Sequence, residues 1–99
     1  QLVPKRGVYS TVTLIDNKTY NSITNIGVKP TVEKDIKPLA ETHILDFSGN
    51  LYGKEIEVRF NKFIRDEKKF SSLDELKIQI KKDIEYVRKQ SEMSELHRL

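Results

Sequence analysis

The hydrophobic period changes once along this chain, and that change limits what the chain can become. From Val8 to Ile64 apolar residues recur at alternate positions in short runs separated by turn residues; from Leu73 they recur at three- and four-residue intervals. A period of two sends alternate side chains to the two faces of a strand, while a period near 3.6 lines up one stripe of a helix. The pattern predicts four or more antiparallel strands followed by one amphipathic helix. A small antiparallel barrel with the helix packed across it is the expected architecture, with strands over about residues 7–65 and the helix over about 72–90.

The individual runs carry this reading. Val8–Ile15 is rich in β-branched and aromatic residues, with Val8, Ser10, Val12 and Leu14 on one face. Asp16-Asn17-Lys18 is a turn signal and a second run follows through Tyr20 and Ile23, so a hairpin is expected. Asn25-Ile26-Gly27 should close that run, with Gly27 at positive φ. Val28–Ala40 holds two of the three prolines and the charged Glu33-Lys34-Asp35, and reads as an irregular loop. Glu41–Phe47 is the next strand, with Glu41, His43, Leu45 and Phe47 on one face. After a turn at Ser48-Gly49-Asn50, Glu55–Ile64 alternates through Ile56, Val58 and Phe60, and a bulge is expected at Phe63-Ile64. Ser72-Leu73-Asp74-Glu75 is a capping box, and Leu73, Leu76, Ile80, Ile84 and Val87 form the helix stripe. The polar tail from Gln90 is expected to fray or protrude.

Composition bounds the chemistry. Ninety-nine residues suit one domain, 1–99, and 36% hydrophobic against 33% charged residues imply a compact core under a heavily solvated surface. Eighteen Lys and Arg against 15 Asp and Glu leave a net charge of only +3, mixed along the chain. That suits a phosphorylated ligand without indicating nucleic acid. The absence of cysteine excludes disulfides, thiolate catalysis and cysteine metal sites, and fits a cytoplasmic setting. No apolar run reaches the roughly 18 residues a membrane span requires, and no signal peptide is seen. The start at Gln-Leu-Val-Pro, without Met, reads as a fragment boundary.

Three places could carry chemistry. Glu41-Thr42-His43 opens a strand after a long loop, where a carboxylate could take a proton from a substrate hydroxyl; a solvated strand-end Glu is the plain alternative. His43 has no second His or Cys at ligand spacing, so no metal ligands are assigned. Arg65–Phe70 is a charged loop ending in an aromatic just before a helix start, suited to an anion and a flat ring, or merely a connector anchored by Phe70. Tyr52, beside Gly53, could stack on a base or simply begin a strand. No P-loop, dinucleotide glycine pattern or nucleophile elbow occurs. Residue chemistry alone leaves a small β-domain without an assigned activity.

Taken in order, however, several segments resemble one family. Gly7-Val8-Tyr9-Ser10, Asn25-Ile26-Gly27-Val28-Lys29-Pro30-Thr31, Glu41-Thr42-His43-Ile44-Leu45-Asp46-Phe47, Leu51-Tyr52-Gly53-Lys54, Ile64–Phe70 and the helix from Ser72 to Asp83 are similar to the riboflavin kinases, which also form the C-terminal half of bacterial bifunctional riboflavin kinase/FAD synthetases. The resemblance runs from about Leu2 to Arg88. It implies a six-stranded Greek-key barrel, its first strand missing here, and transfer of a phosphoryl group from ATP, with Mg or another divalent metal, to the terminal ribityl hydroxyl of riboflavin. Glu41 corresponds to the general base, Arg65 and Phe70 to flavin-binding positions and Tyr52 to a nucleotide-binding one.

The family's Gly-Arg-x-x-Gly-x-Pro-Thr-Ala-Asn segment, which holds metal and nucleotide phosphates, would precede Leu2; Pro30-Thr31 cannot replace it because Val32 and Glu33 follow. The resemblance therefore implies a fragment with little or no turnover of its own and no metal or cofactor bound. The partners it implies are riboflavin or FMN, ATP or ADP and an adenylyltransferase domain in the longer chain, with no nucleic acid and no membrane. An exposed strand edge could also pair two copies. The alternative is a non-catalytic β-barrel module that binds nucleic acid or senses flavin.

Overall fold

The computed structural model describes residues 4–30 and 36–98. Thr31 and the Glu33-Lys34-Asp35 stretch lie outside the described residues. Strands β1 (Gly7–Ile15), β2 (Lys18–Pro30), β3 (Ile36–Ile44) and β4 (Ile56–Arg65) precede one helix, α1 (Leu73–Arg98). The chain is thus mainly β with a C-terminal helix, as the change of period predicts. The four described strands form one open antiparallel sheet in the order β3-β2-β1-β4.

The β1–β2 hairpin turns on Asp16 and Asn17, with φ of 50° and 65°. Both left-handed positions belong to the type I′ turn, whose twist matches that of the strands, and short polar side chains tolerate that region best. β2 does not stop at Gly27. It continues through Val28↔Pro38 and Lys29↔Lys37 to Pro30↔Ile36, so the ends of the expected loop are strand. Proline carries no donor for a ladder, but Pro38 lies on an outer strand of the described sheet and Pro30 at a strand end, where one is not required.

Gly27 likewise does not take positive φ. A Cβ there would lie 2.9 Å from Glu67 Oε2, the tip of a flexible side chain that could shift to admit it. At Gly7 the backbone does require glycine: its φ is 144° and a Cβ would meet the Arg65 carbonyl oxygen at 2.7 Å. On β4 the expected bulge is present, with Ile64 unpaired between the Val8↔Arg65 and Tyr9↔Phe63 pairs. A second one follows at Asn61, between Ser10↔Lys62 and Thr11↔Phe60.

β1 is covered on both faces. One face carries a run of buried hydroxyls: Thr13 bonds Ser22 at 2.7 Å, Ser22 bonds Thr11 at 2.7 Å, Thr11 bonds Thr24 at 3.0 Å and Thr24 bonds Thr42 at 2.8 Å. Thr11, Thr13, Ser22 and Thr24 are at most 2% exposed. A hydroxyl both donates and accepts, so such a row satisfies itself without water while the threonine methyls pack like apolar groups. Tyr9 sits beside the row in edge-to-face contact with Phe60 and Phe63, at 5.1 and 5.3 Å between ring centres.

The opposite face receives α1. Val87 and Asp83 are buried, and the Ser10 hydroxyl donates to Gln90 Oε1 at 2.7 Å. At the helix start the Glu75 amide donates to the Ser72 hydroxyl at 3.2 Å, as the capping box requires. The Glu75 carboxylate reaches back one residue further than expected, to the Ser71 amide and hydroxyl. The helix runs to Arg98, eight residues past its expected end at 90. No Gly or Pro occurs after Phe70, and Glu, Met, Leu, Lys and Arg all favour helix, so polarity alone did not end it. Among the described residues no helix is long and apolar enough to cross a membrane.

Candidate functional site

The helix stripe is only partly used in the core. Val87 is buried, yet Leu73 is 73% and Ile80 43% exposed, because the first half of α1 stands away from the sheet. A cleft of about 340 Å³ lies between them. Its floor follows from strand register: Glu41 pairs with Asn25, Asn25 with Val8, and Val8 with Arg65. Directly opposed residues share a face, so these four form one row across β3, β2, β1 and β4, about 14 Å from end to end at the usual strand spacing. All four line the cleft.

The row is chemically graded. Val8 is buried, and with Ile23, Phe70, Leu76 and Ile80 it makes an apolar wall. The exposed side chain of Glu41 lies at one end with Thr42 and His43. Between them sits Asn25, whose Oδ1 is the one buried side-chain polar atom without a hydrogen-bond partner among the described residues.

Arg65 closes the other end. Its Nε and Nη2 donate to Asp83 Oδ1 and Oδ2 at 3.1 and 2.9 Å, its Nη1 donates to the Asp66 carbonyl at 3.0 Å, and Gln79 Nε2 donates to Asp83 Oδ1 at 3.0 Å. Asp83 is only 5% exposed, and a buried carboxylate needs this degree of pairing. The loop after β4 folds over the cleft through two further contacts. Arg6 Nη2 donates to Glu67 Oε1 at 3.0 Å above Gly27, and Lys68 Nζ donates to Gln79 Oε1 at 3.2 Å.

Of the residues singled out in the sequence, Glu41, Arg65 and Phe70 line one cleft. Tyr52 does not line it. Tyr52 is 92% exposed on a turn in which its amide donates to Asn50 Oδ1 at 2.8 Å. That turn leads to Lys54, which bonds Asp16 of the hairpin turn. Asp16 lies past the far end of β1, roughly 25 Å along the strand from Val8. Sequence reasoning named Asn25 and Glu67 only as members of longer motifs, and did not single out Gln79 or Asp83. The last two were detectable: they lie four apart on the helix, interleaved with Leu76 and Ile80, and so fall on the stripe side.

Outside the cleft, Arg88 Nη1 and Nη2 donate to Asp46 at 2.7 and 3.1 Å, tying the turn after β3 to the helix. The hydrogen bonds from Arg88, assisted by its charge, hold the Asp46 carboxyl below the usual aspartate range, and Asp46 raises Arg88 in turn.

The arrangement suits a flat apolar ring against Phe70, Leu76 and Ile80, with a hydroxylated extension toward Glu41. It does not compose a metal site. The Glu67 and Asp83 carboxylates are engaged by Arg6 and by Arg65 with Gln79, and among the described residues no group of three or more His, Asp or Glu could hold an ion.

Fold and cleft together define a small β-domain with a partly apolar cleft beneath its C-terminal helix. The family model described as riboflavin kinase (flavokinase) matches residues 1–91, and the chain belongs to that family. It is 44% identical over 86 residues to the bifunctional riboflavin kinase/FMN adenylyltransferase of Haemophilus influenzae, covering 86% of this chain and 28% of that protein. It is 38% identical over 89 residues to the RNA-binding riboflavin kinase of Bacillus subtilis, covering 90% of this chain and 39% of that one. A crystal structure of a Streptococcus pneumoniae protein described as a macrolide-efflux protein superimposes with a TM-score of 0.79 at 32% identity, over 88% of this chain and 28% of that chain. The chain therefore spans a minor part of the length of each of these relatives.

Proposed function

We propose that this chain is the flavin-binding part of an enzyme that phosphorylates riboflavin to FMN with ATP. The observation that carries the reading is the juxtaposition of an exposed carboxylate, Glu41, and an apolar wall headed by Phe70 in one cleft. Riboflavin has the matching shape, a flat tricyclic ring joined to a polyol chain. In this reading the ring lies along Phe70, Leu76 and Ile80, and the terminal hydroxyl reaches Glu41. Glu41 accepts the hydroxyl proton as that oxygen attacks the transferred phosphorus. Phosphoryl transfer depends on positioning and charge neutralisation, so an oriented, deprotonating hydroxyl is what the chain must supply. Arg65 acts chiefly by holding the loop and helix around the ring, since Asp83 engages two of its nitrogens.

Among the described residues no cluster of His, Asp or Glu could hold a divalent metal. We accordingly expect this 99-residue chain to bind riboflavin and to turn over ATP weakly, while a longer form that holds metal and nucleotide is active. Tyr52 as a nucleotide contact, an adenylyltransferase domain as the covalent partner and a cytoplasmic setting belong to the same proposal.

Calorimetric titration of the chain with riboflavin tests the reading. Saturable binding of both riboflavin and the bare ring compound lumiflavin supports it. No flavin binding, together with salt-dependent affinity for single-stranded oligonucleotides, would point instead to a nucleic-acid module.

A further inference from the structure

The unpartnered oxygen of Asn25 occupies a place where such an atom is costly. A buried carbonyl without a donor forfeits the hydrogen bonds it would make in water, and buried polar groups are almost always paired. Glu41 stands directly across the β2–β3 ladder and Val8 across β1–β2, so the amide projects from the same face into the same cleft. An opposed pair brings its Cβ atoms to about 5 Å. A group that lies in the cleft and reaches the Glu41 carboxylate from the side of the apolar wall runs beside the Asn25 amide.

We infer that Asn25 Oδ1 is the acceptor for a secondary hydroxyl of the substrate's polyol chain, adjacent to the hydroxyl that Glu41 addresses. The inference rests on the flavin reading above. An amide oxygen only accepts, so its partner must be a donor. Phosphate and carbonyl oxygens are unsuited to it, and a polyol hydroxyl beside the terminal one fits. Asn25 is then a positioning and specificity residue: it fixes the chain so that the terminal oxygen lies at Glu41, and it leaves the isoalloxazine ring to the apolar wall. Sites built to hydrogen-bond a substrate hydroxyl discriminate strongly against analogues that lack it, because the protein atom is then left unpaired.

The test compares riboflavin with lumiflavin, which has the ring and no polyol, by calorimetry on the chain and on Asn25→Leu, a bulkier substitution with the same branching. Riboflavin affinity should fall about tenfold while lumiflavin affinity stays within twofold. The melting temperature should hold or rise, because the substitution removes an unpaired buried atom. Asn25→Val, better suited to a strand, should behave alike. Unchanged riboflavin affinity in both variants would overturn the inference while leaving the flavin reading standing. Equal losses for the two ligands would assign Asn25 to cleft shape and overturn it also. A marked drop in melting temperature in both variants would mean that the oxygen has a protein partner, with the same consequence. If the unmodified chain binds neither ligand, the functional reading itself fails and this inference with it.

Discussion

The Arg65 guanidinium grips the Asp83 carboxylate through two hydrogen bonds of 3.1 and 2.9 Å, joining the last residue of β4 to the middle of α1. The fork is mostly out of water, with side-chain exposures of 19% and 7%. Geometry of this kind offsets the desolvation of both charges only while both partners are present. Losing Asp83 would strand a cation at the mouth of the cleft. Asp83→Ala is expected to destabilise the chain by about 3 kcal/mol in urea denaturation, with Arg65→Ala of similar size. Asp83→Asn, which keeps one acceptor, should cost less. Stability of all three variants equal to that of the unmodified chain would show that the pair does not hold the helix.

Glu41→Gln separates binding from chemistry. Replacing the carboxylate by an amide keeps shape and removes the proposed base. In a form that turns over ATP, kcat should fall by about 100- to 10,000-fold while riboflavin affinity stays within a few-fold. Steady-state kinetics alongside calorimetry checks both numbers. Turnover unchanged in a variant that still binds riboflavin removes Glu41 from the mechanism.

The hydroxyl row offers a measure of buried polar cooperation. Thr11 touches both Ser22 and Thr24, so Thr11→Val keeps the shape and takes one partner from each neighbour. The expected loss is about 1–2 kcal/mol by thermal or chemical denaturation. Thr42→Val at the end of the row deprives only Thr24 and should cost less. The order Thr11 above Thr42 is the testable point.

Asp46 gives the pH dependence. Its folded-state pKa lies below the unfolded one, mainly through hydrogen bonds from Arg88. Stability from this pair is therefore complete above the ordinary aspartate range and is lost as pH falls through the folded value. In Arg88→Gln the Asp46 titration followed by NMR should move up to the ordinary range, and the acid side of the stability curve should flatten. An unmoved Asp46 titration would refute the assignment. Because the pair is exposed, high salt should shrink the effect.

Much of this protein was legible in its one-dimensional pattern. Period two over Val8–Ile64, the Asp16-Asn17 turn and the Ser72–Glu75 cap depend on local sterics and nearby hydrogen bonds, which a short window of residues contains. The motifs around Glu41, Arg65 and Phe70 indicated a family and named three cleft residues. Pairing decided the rest. Val28–Pro30 and Ile36–Ala40 look like loop in isolation and become strand because each finds its partner across the ladder. Gly27 looked like a turn glycine and is a strand residue paired with Leu39, beneath the Glu67 side chain that arrives forty residues later. Asn25 stood in a family-like segment but with no role assigned to it; only the alignment of four strands sets it between Val8 and Glu41 beneath a helix. Backbone preference is local and readable from sequence, whereas the cleft exists only once distant segments share a register.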